Sequence, residues 1–257
     1  MPVFFITTDH IRDNTVVINT PLLHHLTKSL RVRPGETLLF VDDSKRRYRT
    51  TVTAISDRSL TATILSHELP PPTHTLPMHV GQAILKGDHM DWVIQKATEL
   101  GVTSITPLIT DRVIARPPTD RLSKQMDRWQ RIAFEAAQQS ERWEVPQVYP
   151  AQPLDDFCGH VQGLQLMLVE RYSGVPLLQI SAVPLKQPVV LLIGPEGGWS
   201  PGDLKCASEH GVAGVTLGPR ILRAETAALA AISILGERLG YFVEGPNGQT
   251  NTSGRQE

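Results

Sequence analysis

The sequence of 257 residues predicts an α/β fold, in which a C-terminal domain with a parallel sheet follows a small β-rich domain. From residue 78 to residue 239, strand-like apolar segments alternate with helical ones, the pattern of a parallel sheet with helices on both faces. In residues 1–68, short strand-like segments alternate with turns, which is typical of a barrel or a compact sheet. The proline run at 70–72 separates these parts, because prolines stay extended and do not continue a sheet interior.

This pattern divides the chain into two domains. We predict domains over 1–70 and 78–243, a proline-rich linker over 71–77 and a disordered polar tail over 244–257. In the first domain, strands are expected at 3–6, 16–18, 37–42, 48–55 and 60–65, the last three as a meander. Residues 19–30 predict one helix, with Thr20 as its cap and Pro21 at its first position.

The second domain is expected to alternate strands with helices. Strands are predicted at 78–84, 104–109, 164–169, 189–193 and 212–217. Helices are predicted at 87–100, 119–140 and 223–239, and a polar helix is expected between the last two strands. Asp88 is expected to cap the first of these helices, and Gly101 to end it as a C-terminal glycine.

Two glycine loops are the part of the sequence that points to a ligand site. The strands at 189–193 and 212–217 are each followed by a Gly-Pro loop, GPEGG from Gly194 and GPRILR from Gly218. We expect these two strands to be parallel neighbours, and the carboxyl ends of such strands are where open α/β sheets bind ligands. Glycine admits a ligand close to the backbone, so both loops are expected to open onto one site. For either loop alone a simple turn is the better explanation, whereas both loops together, followed by the RAETA helix start, favour a ligand site.

Composition and motifs exclude several classes of protein. Acidic and basic residues balance, at 26 Asp+Glu against 25 Lys+Arg, so the total charge indicates no partner. Cys158 and Cys206 lie far apart without metal-ligand spacing, which argues for a reducing cytoplasm and against a disulfide scaffold or a bound metal. The sequence has no signal-peptide pattern and no apolar run near the ~20 residues that span a bilayer. Nucleotide-binding, serine-hydrolase and zinc-protease motifs are absent as well.

A local excess of basic residues lies between residues 24 and 49. In a chain of balanced charge, such an excess suits the phosphates of a nucleic acid, although a solvated face explains the charges equally well. Tyr48 stands between two arginines, and the strand alternation predicts that its ring points into the core. The candidate phosphate contacts in this region are Lys28, Arg31, Lys45, Arg46, Arg47 and Arg49.

Five segments carry a resemblance to a known family: LKGDHMDWVIQKATELGV (85–102), ITPLITDRV (105–113), RWQRIAFEAAQQSERWEVPQV (128–148), LLIGPEGGWS (191–200) and LGPRILRAETAAL (217–229). They are similar to the RsmE-type enzymes of the SPOUT class, which use S-adenosylmethionine to methylate N3 of a uridine in 16S ribosomal RNA. The resemblance covers residues 1 to about 243. It implies an N-terminal PUA-like barrel, a C-terminal domain tied in a trefoil knot, and a homodimer acting on the small ribosomal subunit.

The same resemblance implies the residues of the site. Uracil N3 carries a proton, so methylation requires its removal and a cation near the carbonyl oxygens. Arg142 and Arg223 match the family's arginine positions for that task, and Arg112 is a further candidate for RNA contact, with ion pairs to Glu141, Glu225 and Asp111 as the respective alternatives. The implied donor-binding residues are Leu168, Ile193, Gly194, Glu196, Gly197, Gly198, Leu217, Gly218, Ile221, Leu222, Arg223, Glu225 and Thr226.

Several points stay open at the level of the sequence. Glu196 and Glu225 are candidates for the general base, but neither stands out. The chain departs from the family at its start, where Met1-Pro2-Val3-Phe4 has no arginine before the first phenylalanine, and in RAETA, where Ala224 replaces a threonine. A non-catalytic RNA-binding assembly factor with the same fold, and a methyltransferase acting on a different base, are the alternatives to uridine-N3 methylation.

Overall fold

The computed structural model describes residues 2–71, 75–113, 119–170, 174–180 and 185–242. It contains two compact units. The first comprises the described residues up to 71 together with Ala137–Glu144, and the second comprises those of 75–136 and 145–242. The predicted tail at 244–257 and part of the predicted linker lie outside the described residues. The boundaries of the domains therefore stay predictions, and the assignment of Ala137–Glu144 to the first unit is a feature that the sequence did not indicate.

The first unit is built on a six-stranded sheet with the order β1-β4-β5-β6-β3-β2. Only β1 and β4 pair in parallel, and the predicted meander of β4, β5 and β6 is confirmed as antiparallel. The core contains Phe40, Tyr48 and Leu60, so the inward direction predicted for Tyr48 is confirmed. The strands are β1 (Val3–Phe5), β2 (Ile11–Arg12), β3 (Thr15–Ile18), β4 (Thr37–Val41), β5 (Arg47–Ile55) and β6 (Leu60–Glu68).

The helix predicted at 19–30 is shorter and less regular than expected. The helix α1 (Leu22–His24) begins after Pro21 and continues as a π-helical turn, His25–Ser29. The Thr27 hydroxyl donates to the Leu23 carbonyl at 2.8 Å, so that side chain competes with the backbone for this acceptor. A β-branched residue at this position therefore loosens the helix, which the apolar spacing alone did not predict.

The second unit contains an eight-stranded parallel sheet with the order β10-β8-β7-β13-β11-β14-β12, and β9 pairs with β8. Each predicted strand is present, with short strands added at the edges. The strands are β7 (Met78–Ala83), β8 (Ser104–Ile109), β9 (Gln147–Val148), β10 (Gln152–Pro153), β11 (Leu164–Leu168), β12 (Val175–Pro176), β13 (Val189–Ile193) and β14 (Ala213–Thr216).

The prediction that the strands at 189–193 and 212–217 are neighbours is wrong. Strand β11 lies between β13 and β14, where Met167 pairs with Leu192 on one side and with Gly214 on the other. Insertion of an earlier strand between two later ones is a matter of chain crossover, which local periodicity does not encode. Because β11, β13 and β14 are all parallel, their carboxyl ends still meet at one edge of the sheet.

Helices cover both faces of this sheet. The Ser200 hydroxyl accepts from the Asp203 amide and the Asp203 carboxylate from the Ser200 amide, a reciprocal pair that starts α6. Asp88 precedes α2 without a side-chain cap bond, whereas Gly101 has φ +94° after the end of α2, as predicted. The helices are α2 (His89–Glu99), α3 (Thr119–Gln139), α4 (Leu154–His160), α5 (Leu177–Ile180), α6 (Pro201–Glu209) and α7 (Ala224–Arg238).

The helix α4 was not predicted, because only Leu154, Phe157 and Cys158 are apolar in a short polar segment, yet all three are buried. Within the part of the chain that the structure describes, no helix combines the length and the apolar character needed to cross a membrane. Strand order does not decide how the chain threads, so the trefoil knot that the resemblance implies stays a prediction.

Candidate functional site

A cavity of about 460 Å³ opens at the edge of the sheet where β11, β13 and β14 end. This volume lies in the range of small-molecule sites. The two glycine loops form two of its walls, the segment after β11 forms the third, and the first turns of α2 and α7 complete it. The two Gly-Pro loops therefore open onto one cavity, although the strands that precede them are not adjacent.

Most of the implied donor-binding residues lie together in this cavity. All of them line it except Gly197 and Thr226. The lining residues outside that implied set are His89, Val169, Glu170, Pro195, Trp199, Thr216, Arg220, Ala224 and Ala227. The only sequence signal for His89 was its place in the matched segment 85–102. The position of Ala224 on the cavity wall means that the departure RAETA removes a hydroxyl from this site. At the other departure, Val3 precedes the first phenylalanine and is buried in β1.

Trp199 connects two of the cavity walls. Its indole Nε1 donates to the Leu168 carbonyl at 2.7 Å, and its ring packs so closely on Gly194 that a Cβ there would lie 3.2 Å from Cε2. A side chain at 194 would therefore press against this indole. The loop after β11 and the GPEGG loop are held at a set distance by one buried side chain.

The segment after β8 supports the GPEGG loop from outside the cavity. The Ser200 hydroxyl donates to the Asp111 carboxylate at 2.6 Å, and Arg112 donates to the Gly197 carbonyl at 2.9 Å. Gly197 therefore faces Arg112, which explains why it does not line the cavity. The predicted ion pair of Arg112 with Asp111 is replaced by these two separate contacts, and the predicted RNA contact of Arg112 stays a prediction.

Gly218 begins the second glycine loop in a conformation that few other residues adopt. Its φ is +107°, and a Cβ built there has no neighbour within 4 Å. The Thr216 hydroxyl accepts a hydrogen bond from the Gly218 amide at 3.3 Å, which stabilises the turn. A side chain at 218 would meet backbone strain, yet it would find open space inside the cavity.

The two carboxylates that were candidates for the general base both have partners. Glu225 accepts from His89 Nδ1 at 3.2 Å when that histidine is protonated there, and Glu196 accepts from the Lys86 amide at 2.9 Å. Glu225 is half-buried on the cavity wall, whereas Glu196 is exposed and tied to the backbone. This arrangement favours Glu225 as the carboxylate that can move a proton, because its partner is itself an acid or a base.

The two implied catalytic arginines occupy different units. Arg223 precedes the first residue of α7 and lines the cavity of the second unit. Arg142 belongs to Ala137–Glu144 in the first unit. Its amide donates to the Ala137 carbonyl at 3.0 Å, so the backbone at Arg142 is set by the end of α3. Their catalytic roles stay predictions.

The structure separates the basic residues of the first unit into two groups. Lys28, Arg31, Arg46 and Arg49 are exposed, and their phosphate contacts stay a prediction. Lys45 forms an ion pair with Glu144.

For Arg47 the predicted phosphate contact stays a prediction, and the structure gives its guanidinium partners within the protein. Its side chain is only 14% exposed, and its guanidinium lies 3.8 Å from the centre of the Trp143 ring. Side chains alternate between the two faces of a β-strand, so the sequence correctly predicted that Tyr48 points inward. It did not indicate that the segment with Glu141 and Trp143 covers Arg47 on the other face.

The two cysteines are free thiols. Burial raises the pKa of Cys158 to about 12 and that of Cys206 to about 11, so both are protonated near neutral pH. Among the described residues, Asp155, Cys206 and His210 bring ligand-type atoms within 4.8 Å of one another. His210 Nε2 lies 2.7 Å from Asp155 Oδ1, and this hydrogen bond lowers the pKa of Asp155. Hydrogen bonds from Cys206 and His210 to Asp155 hold these three side chains together.

Comparison with known proteins was decisive for the family. The family model of an RNA methyltransferase domain matches residues 72–236, and the family model of an RNA methyltransferase PUA domain matches residues 18–65. The chain belongs to the RNA methyltransferase family. Its two matched regions correspond to the parallel-sheet unit and to the six-stranded sheet of the first unit, which confirms the predicted fold class.

Relatives within this RNA methyltransferase family align over most of the chain. The ribosomal RNA small subunit methyltransferase E of Synechocystis is 35% identical, over 88% of this chain and 74% of that protein. The protein of the same name from Bacillus subtilis is 27% identical, over 83% of this chain and 86% of its own. The solved structure of ribosomal RNA small subunit methyltransferase E from Neisseria gonorrhoeae, bound to S-adenosyl methionine, is 32% identical with a TM-score of 0.81 and covers 92% of this chain and 97% of that one.

Proposed function

We propose that this protein transfers a methyl group from S-adenosylmethionine to N3 of a uridine in the 16S RNA of the small ribosomal subunit. The observation that carries the proposal is the cavity that the two glycine loops enclose at the carboxyl edge of the parallel sheet. The relative from Neisseria gonorrhoeae, which binds S-adenosyl methionine, supports the choice of donor. The names of the curated relatives support ribosomal RNA of the small subunit as the acceptor.

The cavity has the two kinds of surface that this donor needs. Apolar walls from Leu217 and Leu222 suit the adenine ring, and Gly194 and Gly218 leave room for close backbone contact with the nucleoside. When bound, the donor supplies a methyl group on a positively charged sulfur, so the protein itself has to provide orientation, proton removal and stabilisation of the charge on the uracil.

Residues of this chain account for the acceptor side of the reaction. Uridine N3 must lose its proton, and the negative charge then spreads to the two neighbouring carbonyl oxygens. The guanidinium groups of Arg142 and Arg223 suit this charge, because arginine stays protonated and donates two parallel hydrogen bonds. Glu225 is our candidate for receiving the proton, and His89 at 3.2 Å from its carboxylate is placed to pass it on to solvent.

The proposal is tested on small ribosomal subunits that lack the modification. Purified protein is incubated with these subunits and with labelled S-adenosylmethionine, and the modified nucleotide is mapped. We expect one labelled uridine, methylated at N3. Label on another base would support the alternative methyltransferase, and binding of donor and subunit without transfer would support the assembly factor.

The first unit is proposed to dock the RNA through four exposed basic residues, Lys28, Arg31, Arg46 and Arg49. Each phosphate contact adds about 0.7 to 0.9 to the slope of log affinity against log salt, so R46A together with R49A should lower this slope by roughly 1 to 2 units. Donor affinity should not change, because both arginines lie in the first unit and the cavity lies in the second. R58A, in an exposed turn of the same unit, is the matched control. An unchanged slope in the double variant would place RNA docking elsewhere.

We also propose that the protein is a homodimer that works in the cytoplasm. On α7, Ala227, Ala230 and Ile234 keep part of their apolar surface exposed, although the opposite side of the helix is buried on the sheet. A self-complementary pair is the common way to cover such a surface. Light scattering at micromolar concentration should give twice the mass of the chain, 28.4 kDa. A monomer with full activity would contradict the proposal.

A further inference from the structure

The segment that carries Arg142 has an unusual backbone. The amides of Glu141 and Arg142 donate to the carbonyls of Gln138 and Ala137 at 3.3 and 3.0 Å, the pattern that closes a helix through one left-handed residue. That residue is Glu141, with φ +54°, at a position that usually requires glycine. Because a glutamate resists this conformation, contacts from outside the helix end have to stabilise it.

Arg47 supplies these contacts. Its Nη2 donates to the Glu141 carbonyl at 2.6 Å, and the plane of its guanidinium lies over the Trp143 ring at 3.8 Å. The Glu68 carboxylate on β6 lies 3.5 Å from Arg47 Nη1 and forms an ion pair with the guanidinium. The residues on both sides of Arg142 are thus held by one partly buried side chain of β5.

We propose that Arg47 is a positioning residue for methyl transfer: it fixes the backbone on both sides of Arg142 and thereby the direction in which the Arg142 side chain leaves the helix end. The proposal rests on the proposed function, in which Arg142 stabilises the charge on the uracil. Arginine is required at 47 because only a planar guanidinium can stack on Trp143 and donate to a carbonyl at the same time.

The kinetic test compares R47A, R142A and the double variant in methyl transfer to small subunits. A group misplaced by about 1 Å costs roughly 100-fold in rate, so R47A should lower kcat by about 10- to 100-fold with the donor KM unchanged. In the R142A background, R47A should have no further effect, because Arg47 acts through Arg142. R58A removes one positive charge from an exposed turn of the same unit and should match the wild type. Independent effects of R47A and R142A, or a wild-type kcat in R47A, would overturn the proposal.

Amide hydrogen exchange tests the same proposal without reference to activity. The Glu141 and Arg142 amides should exchange faster in R47A than in the wild type, whereas amides of β13 should not change. Should R47A fail to fold, W143L removes only the aromatic partner and should give the same pattern with a smaller amplitude. Unchanged exchange at 141 and 142 in both variants would overturn the positioning role. If instead the wild type does not methylate small subunits but exchange responds to R47A, the proposed function fails and the positioning of the segment stands.

A salt titration separates positioning from RNA docking. A phosphate contact through Arg47 would lower the log–log salt slope of RNA binding by about 0.7 to 0.9 in R47A. The positioning role predicts an unchanged slope. A lower slope combined with a normal kcat would return Arg47 to the RNA surface and overturn the proposal.

Discussion

Replacement of Gly218 by valine is expected to lower the affinity for S-adenosylhomocysteine at least about 100-fold, a loss of about 2.7 kcal/mol of binding free energy. Two effects act in the same direction. A branched residue at φ +107° distorts the loop, and its side chain enters the cavity, where no atom lies within 4 Å of the Cβ position. Titration calorimetry with purified G218V measures the loss directly.

Gly211 offers a matched control for this experiment. It has φ +72° and equally open space around a Cβ, but it follows α6 and does not line the cavity. G211V therefore introduces comparable backbone strain, about 1–3 kcal/mol of stability, without a side chain in the site. We expect G211V to unfold at a lower temperature and to bind the ligand normally. Normal binding by G218V, or an equal loss of binding in G211V, would contradict the assignment of the cavity as the donor site.

Replacement of Arg142 by alanine is expected to lower kcat for methyl transfer by about 100- to 1,000-fold, the usual cost of removing one donor to a developing negative charge. The donor affinity should stay at its wild-type value, because Arg142 lies in the first unit and the cavity in the second. R142K keeps the charge but loses the two parallel donors, so its kcat should fall between those of R142A and the wild type.

Arg131 is the control for the effect of charge. It lies on the exposed side of α3, and both side chains of its 4.0 Å ion pair with Glu135 are exposed to solvent. Such pairs contribute little, so R131A should transfer methyl groups as the wild type does. A normal kcat in R142A would remove Arg142 from the catalytic group and leave Arg223 as the candidate for stabilising the uracil.

Local patterns in the sequence predicted the elements of the second unit well. The apolar runs at 78–84, 104–109 and 189–193 became strands at nearly the same residues, because a buried strand needs consecutive apolar side chains on both faces. The glycine loops were predicted for a similar reason. A left-handed or close-packed position such as Gly218 or Gly194 excludes most other residues, and the requirement is therefore visible in the sequence itself.

Contacts between distant segments were not predictable in this way. The place of β11 between β13 and β14, and the indole of Trp199 on the Leu168 carbonyl, depend on which crossover brings which segment next to another. His89 belongs to the cavity only because α2 begins beside α7. Residue types and their spacing carry no information on these neighbours.

Arg47 illustrates which properties of a residue the sequence determines and which depend on tertiary contacts. The sequence by itself determined that a strand begins near Tyr48 with that ring inside, and that the charge of this region is positive, because alternation and composition are local properties. Only the tertiary structure decided what each charge does. Residues 141–144, about 95 positions later in the chain, cover the guanidinium of Arg47 and pair with Lys45, while Arg49 stays exposed. Whether an arginine stays exposed to solvent or supports another segment depends on which segment packs against it. The tertiary fold determines that packing.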